Sequence, residues 1–270
     1  MVSGSTPSED GRARLRELWY PLSSCIRWMF DNHATPEPRC GARKDGRLTE
    51  KRAYITGSGF LRESEELVRW SSAAGRVAFT PGATALLVID MQGWFLDPES
   101  HAYLPSAAQI LPGLVALSRA FWEHELPVVF TRHLNTDDDA GALGLWWSDL
   151  IRAEDPLSEI SSALDTSVGR VLEKNQYDAF HGTDLEDTLR ERAVERVVVT
   201  GVATHLCCET TARSAFVRGF EVSFPVDGTA TYDEHHHLAT LLNLSHGFAT
   251  ATRVRDLLDD VLRGGKASGE

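Results

Sequence analysis

The sequence predicts an α/β protein: a Rossmann-like three-layer α/β/α domain around a mostly parallel six-stranded sheet, preceded by an N-terminal extension. Two observations carry that expectation. From residue 84 onward, short β-branched runs alternate with segments of helical periodicity, the pattern of a parallel sheet covered by helices on both faces. The chain has 270 residues, 42% of them hydrophobic, which is enough to bury a sizeable core without disulfide or metal staples.

The strands are expected over 84–90, 127–133, 170–173, 196–202, 221–226 and 251–254. Helices are expected over 110–124, 184–193, 207–218 and 234–243. Thr183 followed by Glu186 reads as a T-x-x-E capping box at the start of the helix over 184–193. The stretch 134–169 has no periodicity and carries Asp137 to Asp139, a Gly141-Ala142 turn and the pair Trp146-Trp147; its length suggests a lid over the sheet edge. No internal repeat or low-complexity tract is present.

Residues 1–78 read as an N-terminal extension of a different kind of sequence, and 79–270 as the main domain. Residues 1–80 carry 13 Lys and Arg against 10 Asp and Glu, and breakers such as Pro36, Pro38, Gly41 and Gly57 interrupt them. An amphipathic segment over 16–30 is interrupted by Pro21, and 63–71 reads as a short helix. Trp19, Tyr20, Trp28 and Phe30 give part of this arm something to pack with; it reads either as a packing extension or partly disordered leader, or as a surface for a partner or a second copy.

Composition excludes several classes. With 21 Gly and 11 Pro the chain is neither collagen-like nor a linker. Apolar runs such as 85–89 and 197–199 are far short of a membrane span, and no apolar stretch of signal length follows the first charges, which points to the cytoplasm. A net charge of −12 disfavours nucleic acid as the main partner. Cys25, Cys40, Cys207 and Cys208 include no C-x-x-C spacing, so neither a disulfide framework nor a zinc ribbon is expected.

In open α/β sheets, ligands sit at the carboxyl ends of the strands. The first strand ends in Asp90 and Gln92, the third in Lys174, and the fourth runs into Cys207 at the start of a helix. A carboxylate, an ammonium and a thiol therefore converge on one rim. A helix N-terminus and a nearby ammonium acidify a thiol, and a carboxylate can take its proton. Taken singly, each has a plainer reading as a strand-end cap, a surface charge or a small buried side chain.

Three blocks then carry a resemblance: LLVIDMQ at 86–92, EKNQYDAFHGTDL at 173–185 and VTGVATHLCCETTARSAFVRGF at 199–220. In this order and spacing, the chain from about residue 79 to 258 resembles the isochorismatase-like cysteine hydrolases. The resemblance implies a catalytic triad of Asp90, Lys174 and Cys207, with Cys207 rather than Cys208 as nucleophile because it stands three residues after Thr204. It also implies a cis peptide between Val202 and Ala203 and an oxyanion hole made by the N–H groups of Ala203 and Cys207, about 3 kcal/mol of barrier per donor.

Departures from the family bear on substrate. Nicotinamidases of this fold hold a metal with Asp-x-His after the second strand, whereas this chain has Thr131-Arg132-His133, so no metal and no other cofactor are expected. His133 is then either a polar pocket residue or a structural histidine, and Arg132 is a candidate receptor for a substrate carboxylate. His235, His236 and His237 point three ways around a helix and read as an exposed helix start. Trp94, Phe95, Trp146, Trp147, Tyr177 and Phe180 are candidates for an aromatic pocket, about half of them expected in the core.

The leading expectation is hydrolysis of a small amide or related C–N bond through a thioester, in a homo-oligomer acting on a small molecule. The alternatives are isochorismatase, which releases pyruvate from a vinyl ether without a nucleophilic thiol, and a non-catalytic scaffold docking a partner through its basic arm. Retention of Cys207 favours the first over the second. A triad with all three members present argues against the third.

Overall fold

The computed structural model describes residues 51–73, 81–147 and 149–264. The predicted amphipathic segment over 16–30 lies outside these residues. Seven parallel strands make one sheet: β1 (Thr84–Ile89), β2 (Val128–His133), β3 (Arg170–Lys174), β4 (Arg196–Val202), β5 (Glu221–Pro225), β6 (Thr229–Ala230) and β7 (Thr250–Thr252). Their spatial order is β3-β2-β1-β4-β5-β7, with the two-residue β6 also paired to β4. Every residue of β1 and β4 is buried, as central strands covered on both faces require.

The helices are α1 (Ser58–Ala73), α2 (Gly93–Leu96), α3 (Pro105–Glu123), α4 (Ala142–Trp146), α5 (Leu185–Glu191), α6 (Glu209–Val217), α7 (Glu234–Gly247) and α8 (Val254–Gly264). Among the described residues, no helix is long and apolar enough to cross a membrane. The core joins the two central strands to Leu114, Leu117 and Phe121 of α3, Ala212 and Ala215 of α6, and Leu241 and Leu244 of α7.

Several expectations need correction. The sheet has seven strands rather than six because β6 is too short to leave a periodic signal. The last predicted strand ends early, since the Asp227 carboxylate accepts the Val254 N–H at 2.8 Å and α8 begins there. The helix expected from Cys207 starts instead as a π-helical turn, Thr204–Cys208, that passes into α6. The capping box at Thr183 does not close: Glu186 pairs with Arg218 at 3.1 Å, while the Thr183 hydroxyl donates to the Ala179 carbonyl at 2.6 Å. Proline at the first turn of α3 begins that helix five residues before the predicted start.

Residues 51–73 pack into the same core through Tyr54, Ile55, Phe60 and Val68. The Ser71 hydroxyl accepts the Ala251 N–H at 3.0 Å, fastening α1 to β7. The Tyr54 hydroxyl accepts the Thr231 N–H at 3.0 Å and meets Nδ1 of His237, also at 3.0 Å, while the other ring nitrogen of His237 meets the Thr229 hydroxyl at 3.1 Å. His237 is therefore wholly buried, which corrects the expectation of three exposed histidines; His235 and His236 do face solvent. The stretch 134–169 lies along the exit of β1, where Gly93 N–H donates to Glu159 O at 2.9 Å and Ser161 N–H to Met91 O at 2.8 Å.

Candidate active site

The strand order reverses at β1, whose neighbours β2 and β4 lead the chain to opposite sides, and side chains at the carboxyl ends of these strands share one crevice. Asp90 leaves β1 in the left-handed region with φ of 48°. Thr131 of β2 holds it twice: its hydroxyl accepts the Asp90 N–H at 3.0 Å and donates to Asp90 Oδ1 at 2.6 Å. The other carboxylate oxygen lies 2.7 Å from Lys174 Nζ, with both side chains fully buried.

Lys174 ends β3, two strands away from β1, and its stem crosses the end of β2 to arrive there. Its ammonium also donates to Gln176 O at 2.9 Å, reaches His133 Nδ1 at 3.1 Å and lies 3.6 Å from Cys207 Sγ. Ligand atoms of Asp90, His133 and Cys207 lie within 4.8 Å of one another around it. Asp90, Lys174 and Cys207 thus meet in one buried cluster.

The electrostatics follow from this packing. Burial pushes the Asp90 carboxyl up, but the Lys174 ammonium, His133 and the hydrogen bonds from Lys174 and Thr131 together more than offset it, leaving Asp90 below the usual carboxylate range. Burial pulls Lys174 down, and Asp90, then Cys207, hold it above its ordinary value. Burial pushes the Cys207 thiol up, and Lys174 offsets this only in part. The acidified thiol expected from sequence is corrected accordingly: desolvation outweighs the ammonium, and the resting pair is a carboxylate beside a neutral thiol.

Cys207 sits in the π-helical turn, where Leu206 and Cys208 both direct their N–H groups to Ala203 O, at 3.0 and 3.3 Å. The peptide between Val202 and Ala203 is cis. Cys208 is fully buried, its sulfur 3.7 Å from Thr200 O.

Other candidates separate. Gln92 is a brace: its side chain accepts the His133 N–H at 2.8 Å and donates to Ser158 O at 2.7 Å. Arg132 is not a free receptor. Strand alternation turns it away from the side that Thr131 and His133 share, and it pairs with Glu159 at 2.6 Å and with its register partner Glu173 at 3.1 Å. Trp94 is buried with Ala102 and Ile151, and Phe95 packs on the same group. Phe180 belongs to the core, stacked on Phe220 with centroids 5.9 Å apart. Trp146 is 77% exposed.

Two of the aromatic candidates stay linked. Trp147 Nε1–H donates to the Tyr177 hydroxyl at 2.7 Å, joining the 134–169 stretch to the loop after Lys174. Burial, then the charges of Tyr177 and Cys207, raise the phenol of Tyr232. His205 lies edge-on to Tyr232 with centroids 5.7 Å apart. Thr131 was missed as a site residue; its period-two relation to His133 was the available signal.

A buried thiol, carboxylate and ammonium thus meet at the switch point of a parallel sheet. Residues 84–256 match the isochorismatase domain family, and the chain belongs to that family of hydrolases. It is 44% identical to nicotinamidase 3 of Arabidopsis thaliana over 170 residues, 61% of this chain and 82% of that protein. It is 28% identical to enterobactin synthase component B of Escherichia coli K12 over 194 residues, 71% of this chain and 68% of that one. Among solved structures, a cysteine hydrolase from Pseudomonas syringae pv. phaseolicola 1448A superimposes with a TM-score of 0.67 at 26% identity, covering 70% of this chain and 97% of that one. A pyrazinamidase of Pyrococcus horikoshii, in complex with zinc, superimposes with a TM-score of 0.57 at 26% identity, covering 63% and 99%.

Among the described residues, the groups at this site do not fit a metal centre. Thr131 offers a hydroxyl rather than a carboxylate, and that hydroxyl is spent on Asp90. The one group of close ligand atoms among the described residues, Asp90, His133 and Cys207, already surrounds the Lys174 ammonium, so a metal ion there would meet a second cation at contact distance.

Proposed function

We propose that this protein hydrolyses the C–N bond of a small aromatic carboxamide, of the nicotinamide type, through a thioester on Cys207. The observation that carries the reading is the buried cluster in which Lys174 touches both the Asp90 carboxylate and the Cys207 sulfur. Asp90 takes the thiol proton as the sulfur attacks the carbonyl carbon, and Lys174 neutralises the thiolate. The N–H groups of Ala203 and Cys207 receive the oxyanion. The C–N bond then breaks, and the amine leaves with the proton held by Asp90. Water, deprotonated by Asp90, cleaves the thioester to give the acid and restore the thiol.

The substrate class rests on two supports: the 44% identity to a nicotinamidase, and the engagement of Arg132 by two carboxylates, which removes the cation that an anionic substrate would want. The test is ammonia release from nicotinamide and pyrazinamide, and pyruvate release from isochorismate, by the parent protein and Cys207→Ala. The expected result is aromatic amide turnover that falls at least about a thousandfold in Cys207→Ala and is unchanged by chelation. Pyruvate release that survives Cys207→Ala would overturn the reading.

A further inference from the structure

We infer that His133 is a positioning residue for the triad: it accepts one N–H of Lys174 while Cys207 is a thiol and yields that N–H to the sulfur when the thiolate forms. The inference rests on Cys207 as nucleophile and Lys174 as its counter-ion, and adds a residue that neither role requires.

The count of partners is the starting point. An ammonium has three protons and no lone pair. Four acceptors surround Lys174 Nζ: Asp90 Oδ2 at 2.7 Å, Gln176 O at 2.9 Å, His133 Nδ1 at 3.1 Å and Cys207 Sγ at 3.6 Å. The first two are the closest and the most strongly accepting, so His133 and the sulfur share the third proton.

The tautomer of His133 is fixed by its other side. Because Lys174 can only donate, Nδ1 must be bare and Nε2 must carry the hydrogen, which points to Asn135 Oδ1 at 2.8 Å. Asn135 cannot turn its amide round, since its Nδ2 donates to Asn175 O at 2.9 Å and to Asp139 Oδ1 at 3.2 Å. The backbone is held as well, by Gln92 on the His133 N–H and carbonyl. The charged and titratable groups that face this imidazole are Lys174, Asp90 and Cys207 on one side and, through Asn135, Asp139 on the other. Burial and then Lys174 keep it neutral.

A neutral thiol is a weak acceptor and a thiolate a strong one, whereas imidazole nitrogen lies between. At rest the third N–H therefore belongs to His133. When Asp90 removes the thiol proton, that N–H swings to the sulfur; when the thioester forms, the sulfur becomes a poor acceptor and the N–H returns. No proton leaves Lys174 in either change. The rim of β2 thus serves the triad with two residues, Thr131 on the carboxylate and His133 on the ammonium.

The test reads the thiolate directly and needs no substrate. Alkylation of Cys207 by iodoacetamide at pH 8, followed by peptide mass mapping, is compared for the parent, His133→Leu and His133→Asn, whose side-chain oxygen stands at the place of Nδ1. Removing the competing acceptor favours the thiolate, so His133→Leu should alkylate about tenfold faster, and His133→Asn should return the rate to within about twofold of the parent. A merely structural role predicts slower or unchanged alkylation in His133→Leu, or equal rates in the two variants, and either result would overturn the inference. Should His133→Leu fail to fold, nitrogen chemical shifts of His133 in the parent protein decide: a bare Nδ1 with a protonated Nε2 supports it, and the opposite tautomer overturns it. Loss of amide turnover as a function, with the alkylation pattern intact, would defeat the proposed reaction and leave this inference standing.

Discussion

Thr131 shows how one hydroxyl sets the geometry of a charged neighbour. Asp90 sits at φ of 48°, a conformation that costs a non-glycine residue about 1 kcal/mol or more, and both bonds from Thr131 act on it there. Thr131→Val keeps the shape and deletes both bonds, leaving the buried Asp90 N–H without its partner. We expect kcat to fall about ten- to a hundredfold with KM nearly unchanged, and Thr131→Ser to keep most of the activity. Steady-state kinetics of the two variants check this; parent-like kcat in the valine variant would show that the clamp is dispensable.

At the level of elements, the close approach of β1 and β4 makes the crevice possible. Gly201 lies opposite Ile89 in the register, with φ of 102°, and a methyl group there would stand 2.1 Å from the Ile89 carbonyl oxygen. Only glycine permits both the backbone angle and the contact. Gly201→Ala should therefore cost more than about 2 kcal/mol of stability and displace the turn that carries Cys207. Urea unfolding measures the first effect and the Cys207 alkylation rate the second. A variant as stable as the parent would refute this account of the glycine in the VTGVAT segment.

Across the whole molecule, buried neutral histidines make stability depend on pH. Burial and then Lys174 hold His133 at about 4, and burial holds His237 at about 3, both below the ordinary value of 6.5. The unfolded chain takes up these protons below about pH 6.5 while the native chain refuses them, so the stabilisation is complete above that pH and is lost as pH falls toward 4. With two such groups the slope approaches about 3 kcal/mol per pH unit near pH 5. Urea midpoints should fall sharply between pH 7.5 and 5, and a flat profile would show that the two rings are charged in the native state. His237 matters beyond its own burial, because Tyr54 and Thr229 join through it and fasten residues 51–57 to the strand beside the site.

The linear order of residues was enough to establish the parallel α/β core, because β-branched runs and helical periods are local properties, and enough to single out Asp90, Lys174 and Cys207, because each ends or follows a strand. It could not establish which side chains stand between them. Lys174 reaches Asp90 only by crossing the end of β2, so the roles of Thr131 and His133, and the turning of Arg132 to its two carboxylates, depend on a register between strands about forty residues apart in the chain. The reactivity of the thiol likewise belonged to the folded state: a helix start and a nearby lysine suggest acidification, but the depth at which Cys207 is buried reverses the sign. Desolvation is set by everything packed around a group, and no spacing in a sequence records it.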